Sequence, residues 1–233
     1  MDFFLGITNK CNLSCPWCAH KRIRNRNITY EMSKEEFDTW YELTKKSGYY
    51  FDSICINGFG EPTCFSEIKL LKYFLVKCRS FTNEVNLLTN GTNAPVLKEL
   101  IPFIDNVQIS VWNDNTNYYS LHSEFPQKVH LNTNIRCHDV STQFTKHSST
   151  KVVKCGCPGI GYSMGIIFLV CGTWCPEIIM NDIYHTSLKI NYLSTLDKNI
   201  GLTAFDMCSR CHANTSIPYK LYGENEWKYD MIQ

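Results

Sequence analysis

Cys11-Asn12-Leu13-Ser14-Cys15-Pro16-Trp17-Cys18 brings three thiols and an indole onto one short loop, in the spacing CxxxCxxC. Three thiolates so placed can bind three irons of a cubane and leave the fourth iron without a protein ligand. An open iron can chelate the amino and carboxylate groups of S-adenosylmethionine (SAM). A reduced cluster can then pass one electron into the sulfonium and break a C–S bond homolytically, which yields a 5′-deoxyadenosyl radical able to take hydrogen from unactivated carbon. The competing reading of the same loop is a zinc knuckle. Structural zinc is held by four closed ligands, whereas this loop offers three, with His20 the nearest candidate for a fourth.

The rest of the composition narrows the setting. Thirteen cysteines in 233 residues is an odd count, and nine of them fall into short-spaced groups: Cys11/Cys15/Cys18, Cys155/Cys157, Cys171/Cys175 and Cys208/Cys211. No apolar run approaches the roughly 20 residues that span a bilayer, and Met1 to Leu5 lacks the basic and apolar regions of a signal peptide. A cytoplasmic location with reduced thiols is therefore expected, and grouped thiols there are metal ligands more often than disulfides. The isolated Cys55, Cys64, Cys78 and Cys137 read as small buried hydrophobes. A formal net charge of +1 carries no basic footprint for nucleic acid. The expected partner is a small molecule or short peptide, with neither nucleic acid nor membrane.

The first cysteine loop needs a strand to hold it, and Phe3 to Thr8 reads as one. Ser33 offers an N-cap before Glu35 and Glu36, Phe37, Trp40, Tyr41 and Leu43 follow at helical spacing, and Gly48 supplies a stop. Further strands are expected at Ser53 to Asn57, Glu84 to Leu88, Val107 to Val111 and Val129 to Ile135. Helices are expected from Ile68 past Leu75 and from Pro95 to Ile101. The link between the fourth and fifth strands reads as short and irregular. Strand–helix alternation predicts an α/β fold with a parallel sheet, right-handed crossovers and sites at the carboxyl ends of the strands. The expectation is a partial (β/α)6 TIM-type barrel over residues 1–152, open at one side, with a sixth strand at Lys151 to Lys154. The polar stretch His138 to Thr150 marks the approach to the boundary, and residues 153–233 form a smaller cysteine-rich unit with a strand from Met164 to Val170.

In motif order the chain resembles the radical SAM superfamily. CxxxCxWC follows the first strand, and the resemblance implies that Cys11, Cys15 and Cys18 hold a SAM-binding [4Fe–4S] cluster with Trp17 beside the adenine. Gly58-Phe59-Gly60-Glu61-Pro62 follows the second strand and looks like the family's GGEP motif, which holds the SAM amino group; here Phe59 separates the two glycines. Glycine lets backbone approach a ligand, and a carboxylate suits an ammonium. The family also implies SAM contacts at later strand ends, here Thr89 and Asn90, Ser110, and Asn134. An ordinary polar turn is the alternative at each.

The C-terminal third resembles the Twitch domain, a shortened SPASM domain: a Cys, a hairpin, a second Cys, a short helix and a CxxC. That resemblance implies a second, closed [4Fe–4S] cluster on Cys157, Cys175, Cys208 and Cys211, with Cys155 and Cys171 as competitors and a zinc ribbon as the alternative. The set is similar to that of 2-deoxy-scyllo-inosamine dehydrogenase-type enzymes. A radical SAM oxidoreductase of this kind removes a hydrogen atom from a carbinol and passes the second electron to the auxiliary cluster, with flavodoxin or ferredoxin as external one-electron donor. Arg136 and His138, after the fifth strand, are the candidates to face the substrate. A peptide-modifying maturase or epimerase, a glycyl-radical activase and a zinc-binding interaction module are the alternatives.

Overall fold

The computed structural model describes residues 1–15, 29–111, 116–133, 137–138, 159–171, 173–175, 191–192 and 221–222, with backbone pairing alone for Cys137–His138 and for the strands from Ile166 onward. Six strands run parallel: β1 (Asp2–Gly6), β2 (Ile54–Asn57), β3 (Val85–Thr89), β4 (Asn106–Ser110), β5 (Val129–Asn132) and β7 (Gly159–Ser163). Their order is β7-β1-β2-β3-β4-β5. The helices α1 (Lys34–Ser47), α2 (Ile68–Cys78) and α3 (Ala94–Leu100) make the crossovers between the first four strands in sequence. This is the α/β partial-barrel arrangement expected from the strand–helix alternation.

Local signals set the elements. Ser33 accepts a hydrogen bond from Glu36 N at 3.1 Å and caps α1, and Gly48 ends it in the left-handed conformation. The helix buries Phe37, Trp40 and Thr44, and Phe37 stacks on Phe74 of α2 with ring centroids 4.2 Å apart. The sheet face beneath carries Phe3, Leu5, Ile54, Ile56, Val85, Leu87, Val107, Ile109 and Val129, all fully buried. Alternation along each strand therefore turns one face to the helices and the other to the barrel lumen.

Three details differ from the sequence expectation. A helix, α4 (Thr116–Glu124), occupies the link between β4 and β5 that was expected to be irregular. Its buried stripe is only Tyr118 and Leu121 among polar residues, too thin to register as helical periodicity. Second, the strand expected from Met164 begins at Ile166. Met164 (φ 54°) and Gly165 (φ 76°) form the two-residue turn between β7 and β8 (Ile166–Cys171), the geometry that suits the twist of a hairpin. Third, the sixth parallel strand is Gly159–Ser163, beside β1; Lys151 to Lys154 lie outside the described residues. The sheet thus runs across the expected 152/153 boundary, and β9 (Thr173–Cys175) and β10 (Asn191–Tyr192) extend it antiparallel from β8. The two-residue strands β6 (Cys137–His138) and β11 (Leu221–Tyr222) pair with each other.

Candidate active site

The loop that leaves β1 is fixed before it reaches its first cysteine. Thr8 Oγ1 donates to Tyr30 O at 3.0 Å and accepts from Lys10 N at 3.0 Å, and Asn9 Oδ1 accepts from Tyr30 N at 2.8 Å. Lys10 Nζ lies 2.7 Å from Glu31 Oε2, and the other oxygen of Glu31 accepts from Ser66 N at 2.6 Å. Burial acts to raise the Glu31 carboxyl, but Lys10 and the Ser66 donors outweigh it and hold the group below its usual value. Behind this segment, the Tyr30 and Tyr162 hydroxyls both donate to Glu36 Oε1, at 2.8 and 2.7 Å. Burial, then the neighbouring Glu36, pushes both phenols far above their ordinary range.

The Gly58–Pro62 loop docks on this frame. A Cβ on Gly60 would lie 2.6 Å from Asn9 C and closer still to Lys10 O, and one on Gly58, at φ 154°, would lie 2.7 Å from the Cα of Gly6. Glu61 N donates to Lys10 O at 2.7 Å. Both glycines are thus required by backbone meeting backbone, which adds a reason for them that the ligand-approach argument did not contain. Phe59, the residue inserted between them, is 1% exposed. Glu61 is also buried. Its Oε1 accepts from Thr63 N, Thr63 Oγ1 and Thr89 Oγ1 at 3.0, 2.7 and 2.6 Å, and its Oε2 from Asn90 N at 2.7 Å. The carboxylate caps the 3-10 turn Pro62–Cys64 and stitches the β2 loop to the end of β3; Oε2 keeps capacity for one further donor.

The end of β3 closes on the cysteine loop. Asn90 Nδ2 donates to Asn12 Oδ1 at 2.9 Å and stands 3.9 Å from Cys11 Sγ, while Leu13 N donates to the same sulfur at 3.4 Å. Donors aimed at Sγ suit a thiolate that ligates iron. Cys11 is half-buried and Cys15 buried, both on the carboxyl side of β1. Among the described residues no three His, Cys, Asp or Glu side chains gather as a metal site, and the loop's third cysteine, Cys18, lies outside them with Trp17.

The structure therefore brings Cys11, Cys15, Gly58, Gly60, Glu61, Thr89 and Asn90 to one end of the sheet. Ser110 ends β4 in register with Asn132, at the same carboxyl end. Asn134, Arg136, Cys157, Cys208 and Cys211 lie outside the described residues; His138 and Cys175 are placed only by backbone, in β6 and β9. Cys55 and Cys78 are buried, in keeping with the apolar reading. Cys64 is not: it is half-exposed near Cys11 and the Asn12 backbone, and burial followed by the Glu61 charge pushes its thiol up to about 11. Its position three residues after Glu61, at the end of the 3-10 turn that follows the Gly58–Pro62 loop, was the signal available in sequence.

Comparison with known proteins follows this geometry. The family model "Radical SAM superfamily" matches residues 5–125, just over half of the chain. The chain belongs to the radical SAM superfamily. No curated protein matches it in sequence. Among solved structures, BtrN in complex with AdoMet and 2-DOIA is similar at a TM-score of 0.54 and 16% identity, over 80% of this chain and 82% of that one. Native anSMEcpe with bound AdoMet gives 0.42 and 16%, over 56% of this chain and 43% of that one. The FeFe-hydrogenase maturase HydG from Carboxydothermus hydrogenoformans gives 0.37 and 18%, over 52% and 29%. At these identities the likeness to BtrN is one of fold. As a radical SAM enzyme the chain is expected to use SAM and a [4Fe–4S] cluster, and the donors at Cys11 fit that use. No described helix is long and apolar enough to cross a membrane.

Proposed function

We propose that the protein is a radical SAM dehydrogenase that oxidises a polar small molecule by two electrons. Cys11, Cys15 and Cys18 hold the SAM-binding cluster, with Trp17 at the adenine and Gly58, Gly60, Glu61, Thr89, Asn90, Ser110 and Asn134 around the nucleoside and methionine ends. Cys157, Cys175, Cys208 and Cys211 hold a second, closed cluster. When bound, SAM and the first cluster supply a 5′-deoxyadenosyl radical. The substrate carbinol loses a hydrogen atom from carbon, a proton from oxygen and one electron to the C-terminal cysteine site, and becomes a ketone. Arg136 and His138 face the substrate, and flavodoxin or ferredoxin supplies the electron that starts each turnover.

The observation that carries this reading is the β7–β8 hairpin. It follows Cys157 by one residue, is paired to β1, and is followed by β9, which ends at Cys175. That is the order of the Twitch cysteine set, next to the strand that feeds the first cysteine loop. The shared fold of BtrN, whose structure holds AdoMet with 2-DOIA, is consistent with it.

Anaerobic reconstitution with dithionite and SAM tests the proposal. The wild type yields 5′-deoxyadenosine, and a Cys11→Ala/Cys15→Ala/Cys18→Ala variant yields none. A Cys208→Ala/Cys211→Ala variant holds about half the iron, still cleaves SAM slowly, and gives no product lighter by two hydrogens. Four irons and one zinc in the wild type, with no iron lost from that variant, would remove the second cluster and favour a redox-neutral reaction.

A further inference from the structure

Among the described residues, Cys64 is the cysteine outside the first cysteine loop that stands beside it. Cys55 and Cys78 are buried in the sheet and in α2, whereas Cys64 and Cys11 are both half-exposed. The 3-10 turn Pro62–Cys64 is clamped to the start of the loop on either side. Before the turn, Glu61 N donates to Lys10 O at 2.7 Å; after it, Lys10 Nζ donates to Ser66 Oγ at 2.8 Å. Within it, Cys64 N donates to Glu61 O at 2.9 Å, and Asn93 Nδ2 donates to Thr63 O at 3.1 Å. The two sulfurs then take successive amides of the loop. Asn12 N donates to Cys64 Sγ, and Leu13 N donates to Cys11 Sγ at 3.4 Å. Successive residues of a chain are about 3.8 Å apart, so the two thiols stand side by side along one short stretch of backbone.

Nothing in the proposed reaction uses Cys64. Its neighbourhood matters before the cluster is built, when the loop thiols are open to oxidants. Peroxide takes a thiol to the sulfenic acid. A second thiol nearby traps that acid as a disulfide, and without one oxidation runs on to the sulfinic acid, which ordinary reductants do not reverse. Cys11, Cys15 and Cys18 are three thiols and cannot all pair among themselves; Cys64 is a fourth at the same loop.

We infer that Cys11 and Cys64 form a reversible disulfide while the first cluster is absent, a modification site that keeps the cysteine loop recoverable until iron is loaded. Hydrogen peroxide oxidises one thiol to the sulfenic acid and leaves as water. The other thiol attacks that sulfur and expels a second water. Two thiols and one peroxide thus give one disulfide and two waters, with two electrons passing from sulfur to the peroxide oxygens, and a dithiol reductant returns them by exchange. The inference needs neither the second cluster nor a substrate.

Peptide mapping tests it. The full-length protein is freed of iron with a chelator, reduced, treated with one equivalent of hydrogen peroxide, alkylated, and digested with trypsin without reductant. Peptides 11–21 and 47–69 are then joined, and dithiothreitol parts them. The join is lost in Cys11→Ser and in Cys64→Ser. It is kept in Cys55→Ala, which removes the buried cysteine that shares the second peptide. Each variant is checked for a cooperative melt, and Cys64→Ala repeats the test should Cys64→Ser not fold. A join that survives Cys11→Ser, or loss of wild-type thiols with no join, overturns the inference. Iron loading gives a second reading. Untreated Cys64→Ser takes up as much iron as the wild type. After peroxide and then dithiothreitol, the wild type reloads fully, whereas Cys64→Ser regains less than about half, with peptide 11–21 heavier by two oxygens. Equal recovery in both, or a shortfall in Cys64→Ser before any peroxide, overturns the protective role. The map reads the bond itself and stands whether or not the loaded enzyme cleaves SAM.

Discussion

The two ends of the barrel lumen are built on opposite terms. At the carboxyl rim, Glu61 accepts four internal hydrogen bonds, Asn90 binds both Asn12 and Thr92, and Gly60 meets backbone with no room for a methyl group. At the amino floor, Glu84 and Asp2 each keep an oxygen without a described partner. The rim directs its polar groups inward to hold a shape, which is what a site that must aim a reactive ligand requires. The floor leaves one oxygen of Glu84 and one of Asp2 outside its internal hydrogen bonds among the described residues. Burial and the number of internal hydrogen bonds therefore distinguish the two ends, even where both are made of the same residue types.

Substitutions at the rim sharpen that contrast most. Gly60→Ala places a methyl against Lys10 O, part of a backbone already held by Glu61 and Glu31, and is expected to cost roughly 3 kcal/mol or more. Iron content after reconstitution and the urea midpoint should both drop, and unchanged values would show that the loop yields easily. Glu61→Gln comes next. It removes the charge from a buried acceptor of four donors, and either amide orientation turns an NH₂ toward a donor. The expected cost is about 1–3 kcal/mol, read as a lower melting temperature together with slower SAM cleavage. A Glu61 variant of wild-type stability that fails only in SAM binding would show that the carboxylate serves the ligand alone and not the loop.

Two smaller changes bound the comparison. Ser33→Ala removes the α1 cap far from both ends of the lumen and should cost about 1 kcal/mol in unfolding free energy with SAM cleavage unaltered. Glu31→Gln loses the charge that pairs with Lys10 and should cost under about 1 kcal/mol at neutral pH. The sign of its pH dependence follows from a carboxyl held below its ordinary value of 4.5 in the fold. That stabilisation is present above the unfolded value and is lost as pH falls through the lower folded one. The gap between wild type and variant, measured by urea denaturation, should therefore close on acidification below about pH 4.5. A gap that widened there would mean that Glu31 is not the ionised anchor of the loop.

Much of the rim was legible because its chemistry sits in contiguous sequence. CxxxCxxC, Gly58–Pro62 and Thr89-Asn90 each follow a strand with a clear apolar run, so strand periodicity alone carries them to one end of the sheet. The floor was not legible. Asp2, Glu84, Asn106 and His130 are single polar residues on or beside different strands, and only the register that sets Gly6 opposite Asn57 and Gln108 opposite His130 gives them a common face. Helix α4 escaped notice because two buried side chains in nine residues make no periodic signal. The strand β7 escaped because Gly159, Gly161 and Ser163 face the lumen side and interrupt the apolar run that marks a buried strand. Cys64 was read as filler because its neighbours in space come from other loops.

The place of β7 has a consequence for assembly. β1 is an interior strand, yet one of its two neighbours is contributed by residues far later in the chain. In the order of synthesis β1 meets β2 early, and its other edge, Phe3 to Gly6, waits with open amides and carbonyls until Gly159–Ser163 arrives. Parallel pairing over so long a loop is slow to nucleate. An unpaired edge of this kind is where strands of other molecules can add. The same event also delivers the Tyr162 hydroxyl to Glu36, so completion of the sheet and fixation of the segment behind the first cysteine loop are one step. A nascent chain stalled before that strand would carry its cysteine motif at the end of a strand with one edge still open.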